Sequence, residues 1–338
     1  MIIGSNKDEV IKNIEERVAE QDFNSKVEVD DATLSRDEKN ALVDEFIGKS
    51  KTLKKRVDTL CARAITDSVS RMVNRKTRVE GAKNIIGITT GAIITSNHFN
   101  PLDTTIVRTA MRRTGHKHMR IVSQENNLAM GGFLGYIMKN ADTIPLPSQK
   151  EKLSGFFAEK IRHELKKNSV ILIYPEQEMW FNYRKPRPPK RGAYYYAAEN
   201  NVPIISCFVE IRDTDEMDND EFYKTEYVIH ILKPIYPDPD KSVRENSYIM
   251  METDYHQKIE AYEKAYSKKL VYDFEDSDIA GWIGHDATVA KSTALAPMSV
   301  VVDHKRKSAE RKVRRSERRE CKWVKRNTRI SRLLGKKK

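Results

Sequence analysis

The stretch that decides the fold is "NIIGITTGAIITSNHFNPLDT", from Asn84 to Thr104. Its first half is apolar and β-branched, which is typical of a strand or a hairpin. Its second half carries a helix start, because Asn100 is a favoured N-cap, Pro101 suits the first helical position and Asp103 complements the helix dipole. The stretch therefore predicts a buried strand that leads through a short loop into a helix.

Strand and helix patterns alternate along much of the remaining chain. Strand patterns recur in "MRIVSQ", "SVILIYPEQ", "VPIISCFVEI" and "EYVIHILKPIYP", and helical patterns occupy 101–113, 150–167, 193–200 and 254–269. Such alternation is typical of an α/β domain. The acidic stretch "RDTDEMDNDEFYKTE" lacks the glycine that an EF-hand loop needs for its sharp turn, so we predict a solvated hairpin loop there rather than a calcium site.

Composition shifts divide the chain into four predicted segments. Residues 1–34 are acidic and weakly patterned, which indicates a short helix and a loosely ordered segment. Residues 35–80 form a helical arm that opens with the capping-box signal Ser35-x-x-Glu38 and either packs on the body or lies along a membrane. Residues 81–272 carry the α/β domain, and residues 273–338 are an irregular linker and a basic C-terminal tail.

The net charge of +12 belongs to the tail. Residues 305–338 carry 17 Lys or Arg and three Glu, hence +14, which leaves −2 for the other 304 residues. Such a tail binds an anionic membrane or nucleic acid, since both offer phosphates. An apolar stripe at helical spacing (Trp323, Ile330, Leu334) favours the membrane.

The sequence also bounds the compartment of the protein. The N-terminus lacks the basic start and long apolar core of a signal peptide, and the most apolar run is too short and polar to span a membrane. The three cysteines are an odd number without metal-like spacing, so we expect a reduced, cytosolic protein. His116 and His118 lack further well-spaced ligands, and we predict no metal site.

His98 and Asp103 admit two interpretations from the residues alone. Side chains on a helix lean towards its N-terminus, so Asp103 points back to the chain that carries His98. Its carboxylate could accept a hydrogen bond from one imidazole nitrogen and leave the other as a base. The simpler alternative is a well-capped helix, since a histidine five residues before an aspartate is a common chance match.

Four stretches in order, "SNHFNPLDT", "GGFLGYIMKNADTIPL", "VILIYPEQ" and "KRGAYYYAAENNVPII", resemble the sequence blocks of the 1-acyl-sn-glycerol-3-phosphate acyltransferase family. The resemblance covers about residues 81–270. It implies a glycerolipid acyltransferase-like fold, with a mixed central sheet flanked by helices. It also implies that His98 is a general base and Asp103 its orienting partner.

The reaction that this resemblance implies is transfer of a fatty acyl group from acyl-CoA or acyl-carrier protein to the hydroxyl of a glycerolipid, in phospholipid biosynthesis and without a bound cofactor. Backbone N–H groups of Leu102, Asp103 or the loop after Pro175 are candidate donors to the negatively charged tetrahedral intermediate. We expect such an enzyme on the inner face of the cell membrane. The alternative is a non-catalytic acyltransferase-like protein that binds membrane or nucleic acid through its tail.

The chain departs from the family in its phosphate ligands. The arginine of the second block would fall close to Ser148, and Gln177 stands where the third block has glycine. A proline-stiffened basic loop could replace these ligands, although a solvated basic loop is an equal alternative. The predicted substrate-binding residues are Asn100, Pro175, Glu176, Arg184, Lys185, Arg187, Lys190 and Arg191.

Overall fold

The computed structural model describes residues 7–29, 34–49 and 52–284. The basic tail and the linker beyond residue 284 lie outside these ranges. The predictions of a helix in the tail and of its binding partners therefore concern residues outside the described part of the chain. Within the described residues, no helix combines the length and apolar character needed to cross a bilayer.

A seven-stranded mixed sheet forms the centre of the described chain, with strand order β1-β7-β6-β2-β5-β3-β4. The pair β6–β7 is antiparallel and the other neighbours are parallel. The strands are β1 (Arg78–Glu80), β2 (Ala92–Thr95), β3 (Met119–Gln124), β4 (Thr143–Leu146), β5 (Val170–Leu172), β6 (Ile204–Met217) and β7 (Tyr223–Ile231). The predicted α/β fold with a mixed sheet is confirmed.

Helices cover both faces of the sheet, which explains why every residue of the central strand β2 is buried. Ile94 and its neighbours pack with α4 on one face, and Ile93 and its neighbours pack with α7, α8 and α9 on the other. The helices are α1 (Lys7–Ala19), α2 (Arg36–Lys49), α3 (Leu53–Val73), α4 (Asp103–Arg113), α5 (Gly132–Asn140), α6 (Lys150–Lys152), α7 (Ala158–Lys166), α8 (Gly192–Glu199) and α9 (Val243–Tyr266). A π-helical turn, Leu153–Phe157, joins α6 to α7.

The stretch Asn84–Thr104 contains the single strand β2 rather than a hairpin, because a short 3₁₀ helix, Ala82–Ile85, precedes β2. Helix α4 begins at Asp103, two residues later than predicted. The reason is a tight turn at Asn100, whose side-chain oxygen accepts the Leu102 N–H and whose carbonyl accepts the Asp103 N–H. This turn directs the chain from the strand end into the helix.

The short helix predicted for the N-terminal segment is present as α1, but residues 7–29 pack on the body and are not loosely ordered. Helix α1 buries Val10, Ile11, Ile14 and Val18 against a cluster that includes Trp180 and Phe181. Phe23 and Val27 join the same cluster. These partners lie about 150 residues away in the chain, so local patterning could not reveal them.

The predicted arm is two helices, α2 and α3, that pack on the body. The capping box at Ser35 and Glu38 is present at the start of α2. Arg63 of α3 donates two hydrogen bonds to Asp142, and Asn74 at the end of α3 donates to Thr105 of α4. On the outer side of α3, Leu53, Val57 and Leu60 are exposed.

Two further predictions concern the second half of the chain. The acidic stretch lies in the β6–β7 hairpin, but only residues 218–222 form its loop, because β6 extends to Met217 and β7 begins at Tyr223. The last helix begins at Val243, eleven residues before the predicted start, because Ser242 and Glu245 form a capping box that the sequence analysis overlooked.

Candidate active site

His98 and Asp103 meet at the C-terminal end of β2. Nδ1 of His98 lies 2.8 Å from Oδ2 of Asp103. The Asp103 side chain is 1% exposed, whereas that of His98 is 20% exposed. Because Asp103 reaches back from the first turn of α4, the predicted geometry is present.

The contact sets the roles of the two imidazole nitrogens. A buried carboxylate that also accepts backbone N–H groups acts as an acceptor, so Nδ1 of His98 is the donor in this pair. In the neutral ring Nε2 then carries a lone pair. Within the described residues, Nε2 has no hydrogen-bond partner in the protein, and the ring is open to solvent on one side. The arrangement can accept a proton from a bound hydroxyl.

Asp103 is held by more than the histidine. Its Oδ2 also accepts the backbone N–H groups of Phe99 and Asn100, at 3.0 and 3.3 Å. Its Oδ1 accepts the Tyr174 hydroxyl at 2.6 Å. Four donors on one buried carboxylate compensate its loss of hydration.

Glu176 and Arg187 hold the backbone on which His98 sits. One oxygen of Glu176 accepts the His98 N–H at 3.1 Å and the other accepts the Arg187 N–H at 3.0 Å. The Arg187 guanidinium pairs with Glu176 at 3.0 Å and donates to the carbonyls of His98, Glu178 and Phe23. Burial lowers the pKa of Arg187, although the Glu176 carboxylate opposes that shift.

The basic side chains that were predicted to clamp a phosphate are therefore not gathered at one site. Arg187 and Lys185 are 2% and 1% exposed, which leaves neither able to meet a ligand in solution. Lys185 pairs with Asp278 at 2.7 Å and with Asp273. One guanidinium nitrogen of Arg184 donates to both carboxylate oxygens of Asp213. Their acidic partners come from distant segments, so these three cations hold the loop in place.

The remaining predicted ligands differ in their availability. Lys190 is exposed, and its backbone N–H donates to the Pro175 carbonyl at 2.7 Å, which ties it to the loop after β5. The Arg191 guanidinium lies 4.7 Å from the centre of the Tyr248 ring. Asn100 is buried and serves the turn before α4.

The departures from the family blocks have local explanations. Gln177 adopts a left-handed backbone with φ of 69°, the conformation that glycine takes without steric cost. The Ser148 N–H donates to the Glu125 carboxylate. The turn of the third block is thus kept with Gln177 in place of glycine. At the position of the second block's arginine, Ser148 carries no charge.

Several of the predicted oxyanion donors form hydrogen bonds within the protein. The N–H groups of Leu102 and Asp103 bond to Asn100, and in the loop after Pro175 the Gln177 N–H bonds to the Tyr174 carbonyl.

Among residues 7–29, 34–49 and 52–284 there is no group of histidine, cysteine or acidic side chains arranged to hold a metal ion.

Two residues of the site escaped the sequence analysis. Tyr174 precedes Pro175, and its position between a buried strand and the third block was the available signal. Asn97 is 1% exposed and exchanges two hydrogen bonds with the backbone of Val209, which ties the end of β2 to β6. No local pattern distinguishes Asn97 from a loop residue.

A search of curated proteins finds no match. The crystal structure of the 1-acyl-sn-glycerophosphate acyltransferase PlsC from Thermotoga maritima is similar, with 15% sequence identity and a TM-score of 0.43, over 70% of this chain and 100% of that one. Residues 76–210, which contain β2, α4 and the third block, match the family model Acyltransferase. Through this segment, which is less than half of the chain, the protein is similar to the Acyltransferase family.

Proposed function

We propose that the protein is an O-acyltransferase in which His98 is the general base and Asp103 orients it. The observation that carries the proposal is the 2.8 Å contact between Nδ1 of His98 and Asp103, which leaves Nε2 without a protein partner within the described residues. A base held in this way typically contributes a factor of about 10² to 10⁴ to the rate. The match of residues 76–210 to the Acyltransferase family model supports the reaction class.

In the proposed reaction, Nε2 of His98 takes the proton of an acceptor hydroxyl as the hydroxyl oxygen attacks the carbonyl carbon of a fatty acyl thioester. A C–O bond forms, the C–S bond breaks, and the proton passes from the imidazole to the departing thiolate. The products are an ester and a free thiol, so no acyl-enzyme and no bound cofactor are needed. We propose acyl-CoA or acyl-carrier protein as the donor.

We propose a glycerolipid with a free hydroxyl as the acceptor, as the resemblance to the glycerolipid enzymes suggests. Lys190 and Arg191 are the members of the predicted clamp best placed to meet a phosphate, because Arg184, Lys185 and Arg187 are each paired with a carboxylate of the protein. The exposed apolar side chains of α3 and the basic tail support work at an anionic membrane surface, on its cytoplasmic face.

The test is an acyl-transfer assay on the full chain, with palmitoyl-CoA or palmitoyl-acyl-carrier protein as donor and lysophosphatidic acid or lysophosphatidylethanolamine as acceptor. We expect His98→Ala to lower kcat at least 100-fold, because the base is lost. Asp103→Asn should lower it similarly through the wrong tautomer. His163→Ala, on the exposed face of α7, is the control and should retain full activity.

Wild-type activity in His98→Ala would contradict the proposal. Because the second and third blocks are altered, the same assay also tests the non-catalytic alternative. That alternative requires inactivity with every donor and acceptor, together with salt-sensitive nucleic-acid or vesicle binding that is lost when residues 305–338 are removed.

A further inference from the structure

Tyr174 contacts both members of the His98–Asp103 pair. Its ring lies against the imidazole, with 3.9 Å between ring centroids and 13° between ring planes. Its hydroxyl donates to Oδ1 of Asp103 at 2.6 Å. The proposed reaction gives this residue no role, although no other side chain in the described parts of the chain touches both groups in this way.

The hydroxyl completes the hydrogen bonding of the Asp103 carboxylate. Oδ2 receives the imidazole and two backbone N–H groups, whereas Oδ1 receives the Tyr174 hydroxyl alone among the described residues. Since Asp103 is 1% exposed, an oxygen without a donor would lose its hydration without compensation. Donors on both oxygens also prevent rotation of the carboxylate, so Oδ2 stays opposite Nδ1 of His98.

The ring restricts the remaining freedom of the imidazole. A single hydrogen bond through Nδ1 fixes one point of the His98 ring but permits the ring to tilt about that bond. A parallel aromatic ring in van der Waals contact opposes the tilt. The direction of Nε2 is then set, and a misplacement of about 1 Å at a reacting group can cost a factor of ~10² in rate.

Tyr174 acts here as a donor and not as a base. Burial, followed by the charge of Asp103, raises the pKa of Tyr174 well above its ordinary value. The hydroxyl therefore remains protonated at any pH at which the protein works. Because its proton already lies on the bond to Asp103, it has no second proton to donate to a substrate.

We propose that Tyr174 is a positioning residue, whose hydroxyl fixes the Asp103 carboxylate and whose ring fixes the plane of the His98 imidazole. The proposal rests on the proposed function, in which Nε2 of His98 acts as the general base. The catalytic roles that the family resemblance implies belong to His98 and Asp103, so the positioning role of Tyr174 goes beyond that resemblance.

The first experiment separates the two contacts by kinetics. Tyr174→Phe keeps the ring and removes the hydroxyl, and we expect kcat to fall about 10-fold with little change in KM, as for loss of one hydrogen bond to a charged group. The acid limb of the pH profile should move to higher pH, because the carboxylate that lost a donor stabilises the imidazolium more strongly. Tyr174→Leu removes both contacts and should cost about 100-fold.

Tyr194→Phe is the matched control. Tyr194 donates to the buried Asp254 on the opposite face of the sheet, so the variant loses the same kind of bond away from His98. We expect Tyr194→Phe to lower the unfolding midpoint in urea as Tyr174→Phe does, and to leave the pH profile in place. A purely structural Tyr174 would behave like this control.

The second experiment does not depend on activity. Ring ¹⁵N resonances of His98, assigned by their loss in His98→Gln, are followed by NMR through a pH titration. In Tyr174→Phe the titration midpoint should rise, and in Tyr194→Phe it should match the wild type. Equal midpoints and equal pH profiles in the two variants would overturn the positioning role.

The two experiments also separate this inference from the proposed function. A raised NMR midpoint together with full acyl transfer by His98→Ala would refute the base role and retain the positioning of the ring. An unmoved midpoint in an enzyme that requires His98 would refute the positioning role alone.

Discussion

At the scale of single residues, the surroundings of a charge decide what it can do. The basic loop at 184–191 offered five cations for a phosphate, but three of them are paired with carboxylates inside the fold. Burial makes the difference, since a cation that is 1–2% exposed needs a permanent partner, whereas Lys190 keeps its charge in water. The sequence could show the cations, but it could not show that Asp213, Asp273 and Asp278 would fold back onto them.

Arg187 and Lys190 test this distinction. Arg187→Met leaves Glu176 buried without its cation and removes donors to three carbonyls, so we expect the free energy of unfolding to fall by about 3–5 kcal/mol. Lys190→Met should leave stability unchanged and raise KM for a phosphorylated acceptor. Urea unfolding and initial-rate kinetics on both variants provide the measurements. A rise in KM at unchanged stability in Arg187→Met would show that Arg187 meets the substrate after all.

At the scale of elements, sequence patterning predicts what depends on neighbours in the chain. The alternation of strands and helices, the buried strand before His98 and the β6–β7 hairpin all follow from local periodicity and turn residues. Helix α1 did not, because its apolar face is covered by Trp180 and Phe181 from the other half of the chain. The helical character of the arm was likewise predicted, whereas its division into two helices and the charges that dock them onto the sheet became visible only in three dimensions.

Asp142 provides the test at this scale, because it joins the arm to the sheet. It accepts two hydrogen bonds from Arg63 of α3, pairs with Arg120 of β3, and lies 3.6 Å from the buried Arg108 of α4. Its backbone φ is 66°, which asparagine also tolerates, so Asp142→Asn removes the charge without straining the turn. We expect the free energy of unfolding to fall by about 3 kcal/mol or more.

Hydrogen exchange locates that effect in the chain. The amides of α3 should lose protection in Asp142→Asn more than those of β2, since α3 is the element held by the lost charge. Glu45→Gln removes an exposed pair with Lys49 on α2 and is the control, with no measurable change expected. Equal loss of protection in α3 and β2 would argue against a docking role for Asp142.

At the scale of the whole molecule, one titratable cluster links stability to pH. His230 on β7 contacts Glu210 on β6 at 2.8 Å and Glu80 on β1 at 3.3 Å, and so joins three neighbouring strands at one edge of the sheet. Burial by itself would lower the pKa of His230, but hydrogen bonds to the two carboxylates outweigh it and raise the pKa to about 9. Arg212 also pairs with Glu210.

The sign of the pH dependence follows from that shift. A histidine whose pKa is raised on folding stabilises the protein fully below its unfolded value of about 6.5. The contribution is lost as the pH rises from about 6.5 through 9. The full shift corresponds to about 3 kcal/mol, and solvent screening at a side chain that is 20% exposed reduces the expected loss to roughly 1–2 kcal/mol.

Urea unfolding of the wild type and of His230→Gln between pH 6 and 9.5 measures this contribution. The two free-energy curves should converge as the pH rises, because the wild type loses the proton of His230 whereas glutamine carries no proton to lose. The lowered pKa of Glu80, which arises mainly from its hydrogen bond to His230, means that the contact also weakens in acid. Parallel curves across the range would show that His230 is not the group that sets the alkaline limit of the fold.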